Sequence, residues 1–212
     1  MTRASLQLVA AFMATTNAVA WVLASRWERP GRSAELRAKV SHSSLVDGGG
    51  DLVQVVPFCY PAVALIAPGW ANDGSSTWST DFDFSLQMLG LGLWGAGIAM
   101  AIWAARSIGA YGAFSGVALD HQLVSDGPYR YIRHPVYTSL IAVAVGTTLV
   151  FRSYLLLGIA ALSIFAHLRW AAGEEKLLAS TQGLGDAYRT YASRTGRFLP
   201  RFKPESQRAD PP

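Results

Sequence analysis

The sequence predicts an all-α integral membrane protein of five transmembrane helices, with two polar stretches gathered on one face. Three observations carry this. Hydrophobic residues make up 51% of the 212 and charged residues only 15%, against about 25% charged in a soluble domain. Five apolar segments run through the chain. The basic residues flank those segments unevenly, which is a membrane pattern. It also removes the nucleic-acid reading that a net charge of +4 first suggests. The low charge excludes a disordered chain. The single cysteine, Cys59, excludes an internal disulfide and a multi-cysteine zinc site, and reads as a packing residue. No metal site is expected.

The first segment, Ser5 to Leu23, holds no charge. Its apolar run exceeds the roughly 7–15 residues of a signal-peptide core, and Arg26 and Arg29 follow at once, so it is read as a retained helix. The third, Leu86 to Ala105, is rich in Gly and Trp. Both are long enough for about 30 Å of hydrocarbon, which takes roughly 17–25 helical residues. The second (Leu52 to Ala67), fourth (Val136 to Phe151) and fifth (Tyr154 to Leu168) lie near the lower bound and borrow flanking residues. Gly90, Gly92, Gly95 and Gly97 in the third segment predict close helix packing. Trp70 and Trp78 read as interface anchors, and Ser43 to Gly50 as a flexible loop.

The loops orient the bundle. Arg26, Arg29, Arg32, Arg37 and Lys39 follow segment one; Arg106, Arg130 and Arg133 follow segment three; the remaining basic residues but two follow segment five. Only Arg3 and Arg152 fall on the other side, where Asp73, Asp81 and Asp83 lie. The positive-inside rule then places the N-terminus outside and the C-terminus in the cytoplasm of a bacterial-type inner or plasma membrane. Segments four and five are joined only through Arg152-Ser153, a tight hairpin that brings residues 106–135 and 169–212 together. Residues 1–203 form one domain, and the polar, Pro-rich residues 204–212 a disordered tail.

The stretch from His121 to Tyr137 packs two His, two Arg and three Tyr beside a membrane span. Gly127-Pro128 is turn chemistry. Pro135 suits the first turn of helix four, which puts His134 at its N-terminal end, where backbone N–H groups can hold a carboxylate. Past helix five, Glu174-Glu175 read as the start of a surface helix, a position its dipole favours. For the tyrosines the plainer reading is an interfacial aromatic belt, strongest for Tyr131. For Arg133 it is contact with lipid phosphates, and for His121 and His134 a capped surface loop.

Gly127-Pro128-Tyr129, Arg133-His134-Pro135 with Tyr137, Glu174-Glu175 with Leu178, Gly185 with Tyr188 and Tyr191, and Phe198-Leu199-Pro200 form an ordered series. It resembles the C-terminal half of the isoprenylcysteine carboxyl methyltransferase family and its phospholipid N-methyltransferase relatives, over residues 117–202. The resemblance implies a cytoplasmic cofactor-binding loop and C-terminal helices that take S-adenosyl-L-methionine and release S-adenosyl-L-homocysteine. It implies cofactor contacts at His121, Gln122, Leu123, Val124, Tyr129, His134, Pro135, Val136, Tyr137 and Glu174. Tyrosine faces suit an adenine and a sulfonium-like cation, and Glu174 a ribose diol or ammonium group. The acceptor is a lipophilic small molecule or prenylated group entering from the bilayer, with membrane lipids as surroundings.

The chain departs from the family at two places. The arginine usual four residues before the first glutamate is Trp170, with Arg169 beside it, and a frequent glycine is Ser139. The residues placed on the acceptor are therefore Arg133 and Arg169 for an anionic one, and Glu175 or His121 as base for a phenol. Two rivals stand beside this reading. NADPH-dependent membrane sterol reductases carry a similar His-Pro-x-Tyr segment, but with an acidic residue soon after, where this chain has Thr138, Ser139 and Leu140. A non-catalytic protein binding anionic lipid would explain the charge but not the ordered His, Tyr and Glu.

Overall fold

The computed structural model describes residues 1–27, 36–39, 44–71, 74–109, 116–118 and 122–201. Five long helices make the bundle: α1 (Arg3–Trp27), α2 (Ser44–Ile66), α4 (Asp83–Ile108), α5 (Pro135–Phe151) and α6 (Tyr154–Leu178). Among the described residues the short helices α3 (Pro68–Ala71) and α7 (Asp186–Arg194) and a 3-10 turn at Gly127–Arg130 complete the helical elements. Among the described residues α1, α4 and α6 are long and apolar enough to cross a membrane; Val53–Ile66 within α2 and Pro135–Phe151 are shorter apolar helices.

Three features differ from expectation. The architecture is helical as expected, and it carries one short ribbon that was not, in which β1 (Leu36–Lys39) and β2 (Gly116–Ala118) pair antiparallel. Strands this short leave no periodicity to read. Ser44 to Gly50 is helical, the start of α2. Once the apolar stretch after it has nucleated a helix, each further residue adds a hydrogen bond. Glu174 and Glu175 do not start a surface helix; they lie near the C-terminal end of α6, which runs unbroken to Leu178. A helix C-terminus disfavours carboxylates, so these two need cationic partners. Asp73 and the 204–212 tail lie outside the described residues.

Two ends of the bundle are distinct. At one, the Met1 ammonium donates to Gln87 Oε1 (3.0 Å) and Arg152 pairs with Asp83. The backbone N–H groups of Trp78 and Tyr154 there donate to the carbonyls of Arg152 and Ser76. Arg152 takes the left-handed conformation (φ 52°) that turns the chain straight from α5 into α6. At the other end lie the β1–β2 ribbon and the residues following α6. The ribbon joins the connection after α1 to the one after α4, so both emerge at the same end.

α5 is the central helix, and none of its residues is exposed. It meets α4 backbone to backbone. A Cβ added at Gly146 would lie 2.5 Å from Trp94 N and 2.7 Å from Gly90 O, and one at Gly97 would lie 2.9 Å from Ser139 O. Gly90 is as tightly held, whereas a Cβ at Gly92 or Gly95 meets nothing within 4 Å. Two of the four glycines thus make the packing the sequence suggested. Polar side chains pin the interior: Asn17 donates to Phe58 O (2.8 Å) and accepts from Trp94 Nε1 (3.1 Å), tying α1, α2 and α4. The outer faces of α1 and α6 present Leu8, Phe12, Trp21, Leu162, Phe165 and Leu168, a surface that needs an apolar solvent.

Candidate functional site

The site assembles where the start of α5 meets the last turns of α6. Pro135 opens α5 with His134 as its preceding cap residue, so the His134 ring is carried to α6 and buried at 5% exposure. Its Nδ1 lies 3.4 Å from Glu174 Oε2 and its Nε2 3.2 Å from Glu175 Oε1. Two carboxylates facing both ring nitrogens call for two N–H donors, which only the imidazolium has. Burial works against that charge, yet the hydrogen bonds that His134 donates to Glu174 and Glu175 outweigh it and raise the His134 pKa above its ordinary value.

The two glutamates are not equivalent. Glu175 is the more enclosed, its side chain 15% exposed. It accepts from Arg133 Nε (2.9 Å) and Arg197 Nε (3.1 Å) besides facing His134. Those cations offset the unfavourable dipole end. Glu174 is 38% exposed; the described ion pairs give it only His134, and it is the acidic neighbour of the Tyr129 and Tyr137 hydroxyls. Burial, then Glu174 and Tyr191, push the Tyr129 hydroxyl up, so it stays protonated.

Aromatic rings continue from this cluster into the bundle. Tyr137 stacks on His134 (5.4 Å, 5°) and lies 5.2 Å from the His167 ring and 6.4 Å from Trp170. Phe198 closes over His134 at 5.8 Å.

A clasp from beyond α6 holds the assembly. The backbone N–H groups of Arg133 and His134 donate to Gly196 O (2.8 Å) and Arg197 O (3.1 Å), and Gly196 N–H to Tyr131 O (3.1 Å). Tyr191 donates to Tyr129 O (2.7 Å) and Thr138 to Phe198 O (3.0 Å). Arg133 Nη1 reaches Ala192 O (2.9 Å) and Thr195 O. Tyr188 is buried within this clasp, and burial pushes the Tyr191 hydroxyl up to about 12.

Of the residues singled out in sequence, Tyr129, Arg133, His134, Pro135, Tyr137, Glu174 and Glu175 come together. Val136 is half-buried at the start of α5. Gln122 is exposed, and Leu123 and Val124 half-buried, in the irregular stretch before the 3-10 turn. His121 lies outside the described residues. Arg169 is exposed, while its neighbour Trp170 turns inward against His167 (5.1 Å). Three roles weighed from sequence meet a different geometry. The His134 N–H is engaged with Arg197 O, Arg133 is engaged with the clasp, and Glu175 already faces three cationic side chains.

Two residues of this neighbourhood were not among the site residues singled out in sequence. Arg197 acts across more than twenty residues on Glu175; its one signal is its place just before Phe198-Leu199-Pro200. His167 is fully buried inside an apolar helix, where hydropathy masks it.

No curated protein matches the chain. Residues 86–183, from α4 through α6 to the turn after it, match the family described as Phospholipid methyltransferase. The match takes in α4, which the motif series did not, and stops before α7 and the clasp. That family includes the isoprenylcysteine carboxyl methyltransferases, and the matched residues, just under half of the chain, are similar to its members.

Proposed function

We propose that the chain is an S-adenosyl-L-methionine-dependent methyltransferase that spans the membrane five times and methylates a lipophilic acceptor. The observation that carries the cofactor is Glu174. It is a half-exposed carboxylate between two tyrosines, with acceptor capacity left over after its contact with His134. That donor and acceptor set fits an ammonium or a ribose diol, with Tyr129 and Tyr137 supplying aromatic faces for adenine and for a sulfonium. When bound, the cofactor supplies a methyl group on a cationic sulfur. The chain's own residues bind and orient: Glu174 accepts hydrogen bonds, Tyr137 and His134 form the aromatic wall, and Glu175 with Arg133 and Arg197 holds the clasp closed. The exposed apolar faces of α1 and α6 admit an acceptor from the bilayer, where it is concentrated.

α5, at 17 residues and ~1.5 Å per residue, is somewhat short for a bilayer. It is surrounded by protein, which removes the need for a full-length apolar exterior. The uneven Lys and Arg distribution supports a cytoplasmic site, an external N-terminus and a cytoplasmic C-terminus.

Glu174→Ala tests the cofactor assignment. A charge-assisted hydrogen bond contributes about 1.5–3 kcal/mol, so binding of S-adenosyl-L-homocysteine should weaken roughly 10–150-fold while the protein still extracts folded. Unchanged affinity would remove Glu174 from the site.

A further inference from the structure

We propose that His167 is the general base of the transfer, and that the acceptor reaches it as a neutral, weakly acidic X–H group of the phenol or thiol type. This rests on the methyltransferase reading above. The ring is fully buried in α6. Its Nδ1 lies 2.6 Å from Ser163 O, and a carbonyl only accepts, so Nδ1 carries the hydrogen. Nε2 therefore presents a lone pair, and it is buried with no hydrogen-bond partner among the described residues. An ionisable side chain inside a membrane helix marks a functional site.

Its place fits the role. His167 and Glu174 lie seven residues apart on α6, about two turns, so His167 sits deeper in the bundle than the proposed cofactor carboxylate. The Tyr137 ring spans the two, facing Glu174 on one side and the His167 ring at 5.2 Å on the other. Trp170, at 5.1 Å, gives the neighbouring wall. The titratable group facing His167 from α5 is Tyr137. α2 brings no charged residue over Val53–Ile66, and its Tyr60 bonds Ala71 at the far end of the bundle.

The same residues disfavour a carboxylate acceptor. That acceptor arrives ionised, requires a cation and has no use for a base. Position 170 is tryptophan, Arg133 is engaged with Glu175 and two carbonyls, and Arg169 is exposed. A phenol or thiol has the opposite requirements. The acceptor O–H or S–H gives its proton to Nε2, and the freed lone pair forms the bond to the methyl carbon. The carbon–sulfur bond of the sulfonium breaks, with its electron pair remaining on that sulfur. The imidazolium later releases its proton to water.

His167→Asn is the test, since the asparagine amide can still donate to Ser163 O but offers nothing at Nε2. Turnover of a long-chain alkylphenol and of a long-chain thiol near neutral pH should fall about 100–10,000-fold, with S-adenosyl-L-homocysteine affinity within twofold of native. Turnover of an alkyl nitrophenol already ionised in solution should fall less than tenfold. Without turnover, the absorbance of that nitrophenol bound beside S-adenosyl-L-homocysteine should show more phenolate on the native protein than on the variant at the same pH. Equal losses for ionised and neutral acceptors, full activity of the variant, or native turnover of a prenylcysteine carboxylate alone would overturn the proposal. If the variant does not fold, native protein that binds the nitrophenol wholly as the neutral phenol overturns it too. Native protein that fails to bind S-adenosyl-L-homocysteine sinks the methyltransferase reading itself.

Discussion

Glu174 and Glu175 are adjacent in sequence and differ in their surroundings. Glu175 faces Arg133, Arg197 and His134, so its removal strands cations in a largely enclosed place. Glu175→Ala should lower stability by about 3 kcal/mol, near the low end for breaking a buried pair, read as a fall in the thermal midpoint in detergent. Glu174→Ala takes one carboxylate from His134 but strands no arginine, so it should lower that midpoint by clearly less. Similar midpoints for the two variants would contradict the division. His134 supplies the pH dependence. Its folded pKa is raised above the ordinary 6.5, so its contribution to stability is complete below about that pH and lost as pH rises through the higher folded value. Native protein should lose thermal stability over that interval, and His134→Asn should flatten the loss; identical slopes would exclude His134 as the source. At this scale the motif made His134, Tyr129, Tyr137 and Glu174 legible. Arg197 and His167 were not, because each depends on what the fold places beside it. The clasp that brings Arg197 to Glu175 is tertiary, and one histidine among leucines and alanines does not disturb an apolar average.

The pairing of α4 with α5 explains why four glycines of one helix differ. The chain at Gly90 and Gly97 lies against the α5 backbone, and Gly146 lies against Trp94. Backbone atoms do not yield as a flexible side chain does, so overpacking there costs about 1–3 kcal/mol or more. Gly146→Ala and Gly90→Ala should destabilise by that amount. Gly92→Ala and Gly95→Ala, which meet nothing within 4 Å, should gain about 0.5–1 kcal/mol from helix propensity. Thermal unfolding of the four variants in detergent checks this, and equal effects would refute the packing. Sequence identified α4 as a close-packing helix but not its face, since the partner's register is set by Gly146, far along the chain. The same limit explains Glu174-Glu175: two acids read naturally as a helix start until the cations that let them end one are in place.

For the whole molecule, the apolar segments and the charge distribution were legible because both answer to the solvent rather than to tertiary detail. The short β1–β2 ribbon was not, and neither was the central position of α5, which lets a 17-residue helix serve in a bundle of longer ones. The five-span reading predicts that a reporter active only in the cytoplasm works when fused at the C-terminus and is silent at the N-terminus; the reverse would overturn the orientation. The central claim is that the His134, Tyr129, Tyr137 and Glu174 cluster is built for S-adenosyl-L-methionine. Calorimetry of the purified protein against S-adenosyl-L-homocysteine and, separately, NADPH tests it most directly. Saturable one-site binding of S-adenosyl-L-homocysteine with no heat from NADPH is the predicted result; binding of NADPH alone, or of neither, would contradict it.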